Sequence, residues 1–223
     1  MPSRLQPTAS LAADAILVGD PGRALLLAQE LLEEPKMSNH ARGLWGYSGQ
    51  TPDGKGLTIQ STGMGGPSAA LVLNDLAKLG VRRAVRVGTC AGFGSDLKLG
   101  ELLVVGAAIA EGGSASALGV AARERVLPDP ELTKRLDAGL ATAGGPITMA
   151  SYDAHPSEQS PAKGVIAADM QTASLLARAR ALGIDAAVLQ IVTETPGGDR
   201  IDKEDLEEAE RRGGRAASAV LST

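Results

Sequence analysis

The chain has 223 residues, 43% hydrophobic and 22% charged, with a formal net charge of −4 at pH 7, which is apolar material for one sizeable core in one domain. A slightly acidic chain with no long basic block and 2% aromatic residues lacks both the charge footprint and the stacking platforms of a nucleic-acid binder. One cysteine, Cys90, and two histidines, His40 and His155, exclude an internal disulfide, offer no metal centre and suggest a reducing compartment.

The N-terminal segment MPSRLQPTASLAAD has no long apolar core, so residues 1–13 read as a loosely ordered arm and not as a leader peptide. No run of ~18 apolar residues occurs, and the expectation is a cytoplasmic protein without a membrane span. Ala15 to Val18 is predicted as a buried strand, after which the turn GDPG opens a helical run, RALLLAQELLEE. Stretches 44–50 and 56–61 flank PDGKG, whose proline and glycines suit a tight hairpin turn. In GMGGPSAALVLNDLAKLG, Pro67 sits in the first turn of a predicted helix and Gly80 ends it. Strand, loop and strand run through 84–109. Helix is predicted over 131–143, strand over 147–151, helix over 169–182 and strand over 186–192, and a charged helix begins near Lys203. Alternating strands and helices predict an α/β domain over residues 1–223, its sheet mostly parallel except at the hairpin.

Three glycine-rich loops fall where strands end: GDPGR, STGMGGPS and VGTCAG. Glycine lets backbone N–H groups approach an anion, but strand-to-helix turns need glycine anyway, and none of the loops has Walker or GxGxxG spacing. The stretch VRVGTCAG is more pointed, because it places Arg86 inside an apolar run near a strand's carboxyl end, where open α/β sheets hold ligands. An arginine paired with a carboxylate at a sheet margin would look the same.

GDPGRA, NHARGLWGYSG, TGMGGPSAA, VRVGTCAG and DMQTA, in this order and spacing, resemble the nucleoside phosphorylase family of hexameric purine nucleoside phosphorylases and uridine phosphorylases, from about residue 14 to 220. The resemblance implies a three-layer α/β/α domain around a central mixed sheet. It also implies phosphorolysis, in which inorganic phosphate, a co-substrate and not a cofactor, attacks the anomeric carbon of a nucleoside. Phosphate would be held by Gly19, Arg23, Arg86 and Thr89, and by Arg42 reaching in from a neighbouring subunit. That arrangement needs a homo-oligomer, a dimer at the least, with a hexamer built as a trimer of dimers as the family form. Guanidinium forks, a hydroxyl and backbone N–H groups are the donor set such an anion requires.

The nucleoside half departs from the pattern. Met64 and Met170 match methionines that pack on the sugar, but Gln171 stands where the family has a glutamate bonding the ribose hydroxyls. Thr193 and Glu194 align with a Ser-Asp pair, the acid acting on the purine base, and Arg211 in the final helix is nominated to assist it. His155, with Tyr152 nearby, takes the place of a base-packing phenylalanine, and no histidine precedes Asp14. The retained acid points to purine nucleosides. The alternatives are a uridine phosphorylase and a non-catalytic relative that binds an anionic metabolite, the latter kept open by Gln171; a nucleosidase is disfavoured by the arginine set.

Overall fold

Across residues 4–142 and 144–222, which the computed structural model describes, ten strands join in one mixed sheet. Strand β1 (Asp14–Val18) lies parallel between β4 (Gly56–Ser61) and β5 (Arg83–Gly92). The expected hairpin is present as β3 (Gly46–Gln50) antiparallel to β4, and β2 (Glu33–Asn39) adds antiparallel at the edge. On the other side, β5 runs parallel to β10 (Asp185–Glu194), and β10 antiparallel to β6 (Leu102–Ala110). A short β7 (Arg125–Val126) and the parallel β8 (Ile147–Ser151) flank β6, and β9 (Ala167–Asp169) joins β8 back to the end of β5. This half of the sheet therefore closes on itself, and the carboxyl ends of β5 and β10 meet β9 at one mouth.

Alternation along the strands sorts the core into two layers. Ala15 and Leu17 of β1 pack with helices α2 (Gly65–Lys78) and α5 (Thr172–Leu182). Ile16 and Val18 pack with α1 (Pro21–Leu31), α4 (Pro130–Leu140) and α6 (Lys203–Leu221) on the opposite face. The three-layer α/β/α expectation is met; one further turn, α3 (Gly113–Ser116), sits beside α2 and α5.

Local chemistry explains the helix starts. The side chains of Asp20, Asp129 and Asp202 accept the backbone N–H groups of Arg23, Leu132 and Asp205 at 3.0, 2.8 and 2.9 Å, which satisfies donors that a helix leaves unpaired. Pro21 and Pro130 occupy first-turn positions, where no N–H is needed. The helix expected through Glu34 instead stops at Leu31. Pro35 disfavours helical backbone in the residue before it and removes a donor, which an edge strand such as β2 tolerates.

The loose arm expected over residues 1–13 is also corrected where it is described. Leu5 is buried, the N–H groups of Arg4 and Leu5 donate to the buried carboxylate of Asp75, and those of Gln6 and Thr8 donate to Asn39 and Ser38 at the end of β2. Among the described residues no helix is long and apolar enough to cross a membrane.

Candidate functional site

At the mouth formed by β5, β9 and β10 lies a cavity of about 240 Å³. One end is built from Gly19, Arg86, Thr89 and Asp169. Along β5, Val85 and Val87 enter the core on the α1/α6 side while Ala84 and Cys90 enter the α2/α5 side, so the two-residue period sends Arg86 to the α2/α5 side as well. The residue is 4% exposed, and its Nη2 donates to Oδ2 of Asp169 at 3.3 Å. Its Nε and Nη1 are buried with no hydrogen-bond partner among the described residues. Burial pushes the guanidinium below its ordinary value and Asp169 opposes that shift. A buried cation with two idle donor nitrogens is costly unless an acceptor comes to it.

Gly88 makes the side chain's path possible. A Cβ there would stand 2.7 Å from Arg86 Nη2 and 2.5 Å from Gln190 Oε1, so any larger residue would displace the guanidinium. Asp169 carries more than its ion pair. It accepts from Ser151 Oγ at 2.6 Å, Thr172 Oγ1 at 2.8 Å and Gln190 Nε2 at 2.9 Å, as well as from the Thr172 N–H. The sequence reading missed it: DMQTA drew attention to Gln171, while the acid two residues earlier is the one that orients Arg86.

Arg23 stands behind this wall. It is on α1, on the other side of β5, and its Nε donates to Glu210 Oε1 at 2.5 Å while Nη1 reaches the Val87 carbonyl at 3.5 Å. Its charge is nonetheless close enough to lower the Arg86 pKa. Arg42 is exposed in the turn Ala41–Gly43 with left-handed backbone (φ 62°), outside the cavity of its own chain.

The opposite end is looser. Met170 and Gln171 lie along the floor, and Met64, 89% exposed, stands on the rim. The Gln171 amide is engaged locally: Oε1 accepts from Thr62 Oγ1 at 3.2 Å and Nε2 donates to the Gly63 carbonyl at 2.5 Å. One amide hydrogen and one oxygen lone pair remain for a ligand hydroxyl. Thr193 lines the wall and donates to the Cys90 carbonyl. Glu194 meets two cationic or potentially cationic groups, Arg200 Nη2 at 3.4 Å and His155 Nε2 at 3.7 Å. His155 Nδ1 in turn pairs with Ser157 Oγ at 2.7 Å. Burial pushes the Cys90 thiol well up, which keeps it an inert part of the wall.

Besides Arg23 and Arg42, two further nominated residues lie outside the cavity. Arg211 does not approach Glu194; its Nη1 binds Glu30 Oε2 at 2.7 Å, pinning α6 to α1. The reason is helical register, since Arg211 faces α1 one residue after the inward Glu210. Arg200, brought to Glu194 by an antiparallel bridge between the two residues, holds the position expected of Arg211. Tyr152 packs with Phe93 and Ile109 against Ala150, Val165 and Ala168, and does not line the cavity. Strand alternation carries it there, away from the mouth that its neighbour Ser151 faces through Asp169.

With this geometry, residues 14–223 match the sequence model of the phosphorylase superfamily. The chain belongs to that superfamily. A DeoD-type purine nucleoside phosphorylase of Caldanaerobacter subterraneus subsp. tengcongensis is 29% identical over 196 residues, covering 83% of this chain and 84% of its own. One from Alkaliphilus metalliredigens is 29% identical over 208 residues, covering 87% and 88% respectively. Among solved structures, uridine phosphorylase from Vibrio fischeri ES114 superposes with a TM-score of 0.82 over 95% of this chain and 92% of that one, at 21% identity. That superposition speaks for the shared fold of the superfamily, and the cavity described above sits within it.

Proposed function

We propose that this superfamily member is a nucleoside phosphorylase, transferring the pentosyl group of a nucleoside to inorganic phosphate and releasing the free base. The observation that carries the reading is Arg86, a cation held rigidly at the cavity's inner end with two buried nitrogens lacking acceptors. Phosphate supplies several acceptor oxygens at once, and Gly19 and Thr89 add a backbone and a hydroxyl donor beside the same end. The sugar then lies over Met170 and Gln171 with its anomeric carbon toward the phosphate, and the base lies toward His155, Thr193 and Glu194.

Breaking the glycosidic bond leaves negative charge on the base, and a carboxylic acid placed at a purine N7 can neutralise it. Glu194 is the acid at that end of the cavity, and two relatives that match over more than four fifths of this chain are named purine nucleoside phosphorylases. Purine nucleosides are therefore the substrate class. Exposed Arg42 completes the phosphate site of a second copy in a homo-oligomer, a dimer at minimum and a hexamer in the family form. No cofactor beyond the co-substrate phosphate is invoked, and the reaction belongs to cytoplasmic nucleotide salvage.

The test is a panel of purine and pyrimidine nucleosides, with and without phosphate, read by liberated base. Purine release that needs phosphate is the expected result. Equal release in phosphate-free buffer would remove the phosphorylase reading, and turnover of uridine alone would remove the purine assignment.

A further inference from the structure

Strand β5 carries two arginines that pair with an aspartate on an adjoining strand, and the two pairs differ. Arg83 takes Asp14 as a fork, with Nε and Nη2 each 2.7 Å from a carboxylate oxygen. Arg86 is far more deeply buried, yet it gives Asp169 one bond, from Nη2 at 3.3 Å. Its Nε and Nη1 have no partner among the described residues. A guanidinium and a carboxylate free to approach each other close to about 2.7–2.9 Å and often engage two donors. The Arg86–Asp169 pair is held short of that.

Neutral donors already fill the Asp169 carboxylate. Oδ1 accepts from Ser151 Oγ at 2.6 Å, and Oδ2 accepts from Thr172 Oγ1 at 2.8 Å and from Gln190 Nε2 at 2.9 Å. Each of these bonds is shorter than the one from Arg86. Gln190 is fully buried on β10, in register with Gly88 of β5. Its Nε2 divides two hydrogens between Asp169 and Thr172 Oγ1, the latter at 2.8 Å, while its Oε1 has no partner among the described residues. A buried amide with an idle carbonyl is destabilising on that account, so what it contributes is its N–H groups. Turning the amide over would set Oε1 against the Asp169 carboxylate, which fixes its orientation.

We propose that Gln190 is a positioning residue: by occupying Asp169 Oδ2 it keeps the carboxylate from closing on Arg86, which leaves two guanidinium nitrogens free for the anion. The inference rests on the phosphorolysis reading, in which that anion is phosphate. Arg86 and Asp169 both line the inner end of the cavity, so the bond that Gln190 loosens belongs to groups the anion meets directly. The amide is uncharged, so it takes up part of the carboxylate's hydrogen-bonding capacity without adding a charge of its own. Without it, Asp169 would draw Arg86 toward a two-donor fork like that of Arg83 with Asp14, and fewer donors would remain for phosphate.

Gln190→Leu keeps most of the side chain's volume and removes the donor. Its KM for phosphate should rise about fivefold with the KM for nucleoside unchanged, a coupling within the usual range for residues in one network. Titration of inorganic phosphate alone, followed by calorimetry, should show the same weakening. Gln190→Met, unbranched and closer in shape, should reproduce the effect and takes the place of the leucine variant if that one does not fold. A folded variant that melts at a lower temperature but keeps its phosphate constants has lost only a structural contact, and that result overturns the proposal. A phosphate constant that falls, or a loss shared equally by nucleoside and phosphate, overturns it too. Wild-type base release that ignores phosphate would overturn the phosphorolysis reading itself, whereas the calorimetric titration needs no turnover and decides the role of Gln190 separately.

Discussion

The two ends of the cavity are built on different principles. The inner end is carried by strands: Arg86 on β5, Asp169 on β9 and Gln190 on β10 are each less than 5% exposed and joined by direct hydrogen bonds. The outer end is carried by loops and rims, where Met64 is 89% exposed, His155 47% and Arg200 72%. Strand-borne side chains inherit their direction from the sheet and have few alternatives, whereas loop-borne ones take theirs from a handful of local contacts. The difference teaches that the inner end is preorganised by the sheet, while the outer end is the part whose side chains can be rearranged without disturbing the strands.

The largest expected effect lies at the rigid end. Arg86→Ala should lower kcat/KM for phosphate by about a hundredfold or more, since a desolvated charged contact is lost and Asp169 is left without its cation. Arg86→Lys should recover little, because an ammonium cannot reproduce the fork that faces both Asp169 and the anion. Steady-state kinetics with varied phosphate checks both. A loss confined to the nucleoside KM would reverse the assignment of the two ends.

Next comes the acid at the outer end. Glu194→Gln keeps size but removes the transferable proton, and kcat on inosine or guanosine should drop by roughly tenfold to a thousandfold. On 7-methylated purine nucleosides, whose base leaves as a neutral species, the loss should be much smaller. Equal losses on both substrates would reduce Glu194 to a binding or folding role.

Smaller still is the effect expected at Arg200, 72% exposed beside Glu194. Solvent screens such a pair, so Arg200→Ala should cost about two- to fivefold in kcat on purine substrates and leave the phosphate KM unmoved. Arg211→Ala closes the series. Its partner is Glu30, which Arg215 also grips, with both arginines holding that carboxyl below its ordinary value. The variant should leave kinetics within about twofold and cost at most ~1 kcal/mol of stability by thermal melting. A kcat loss larger than that of Arg200→Ala would reinstate Arg211 as the residue that serves Glu194.

Much of the layered fold was legible from short-range signals. Val85 and Val87 alternating with Arg86, Pro67 in the first turn of α2, and the glycines at strand ends each act through neighbours a few residues away. The end of α1 was misjudged because hydrophobic spacing continued past Leu31, and Pro35 decided otherwise. The N-terminal arm was misjudged because its anchor, Asp75, lies 70 positions from Leu5.

The sequence by itself determined that this chain alternates strands and helices and that arginines stand beside glycine loops at strand ends. Those properties follow from periodicity, turn chemistry and side-chain type, all of which act locally. Only the tertiary structure decided who pairs with whom: Arg86 with Asp169 across 83 positions, Arg23 with Glu210 across 187, and Arg200 in place of Arg211 at Glu194. Ion pairs between distant segments depend on the face each helix and strand presents once the sheet closes. A shift of one residue along α6 separates the buried Glu210 from Arg211 at the surface, and no local pattern records which of the two turns inward.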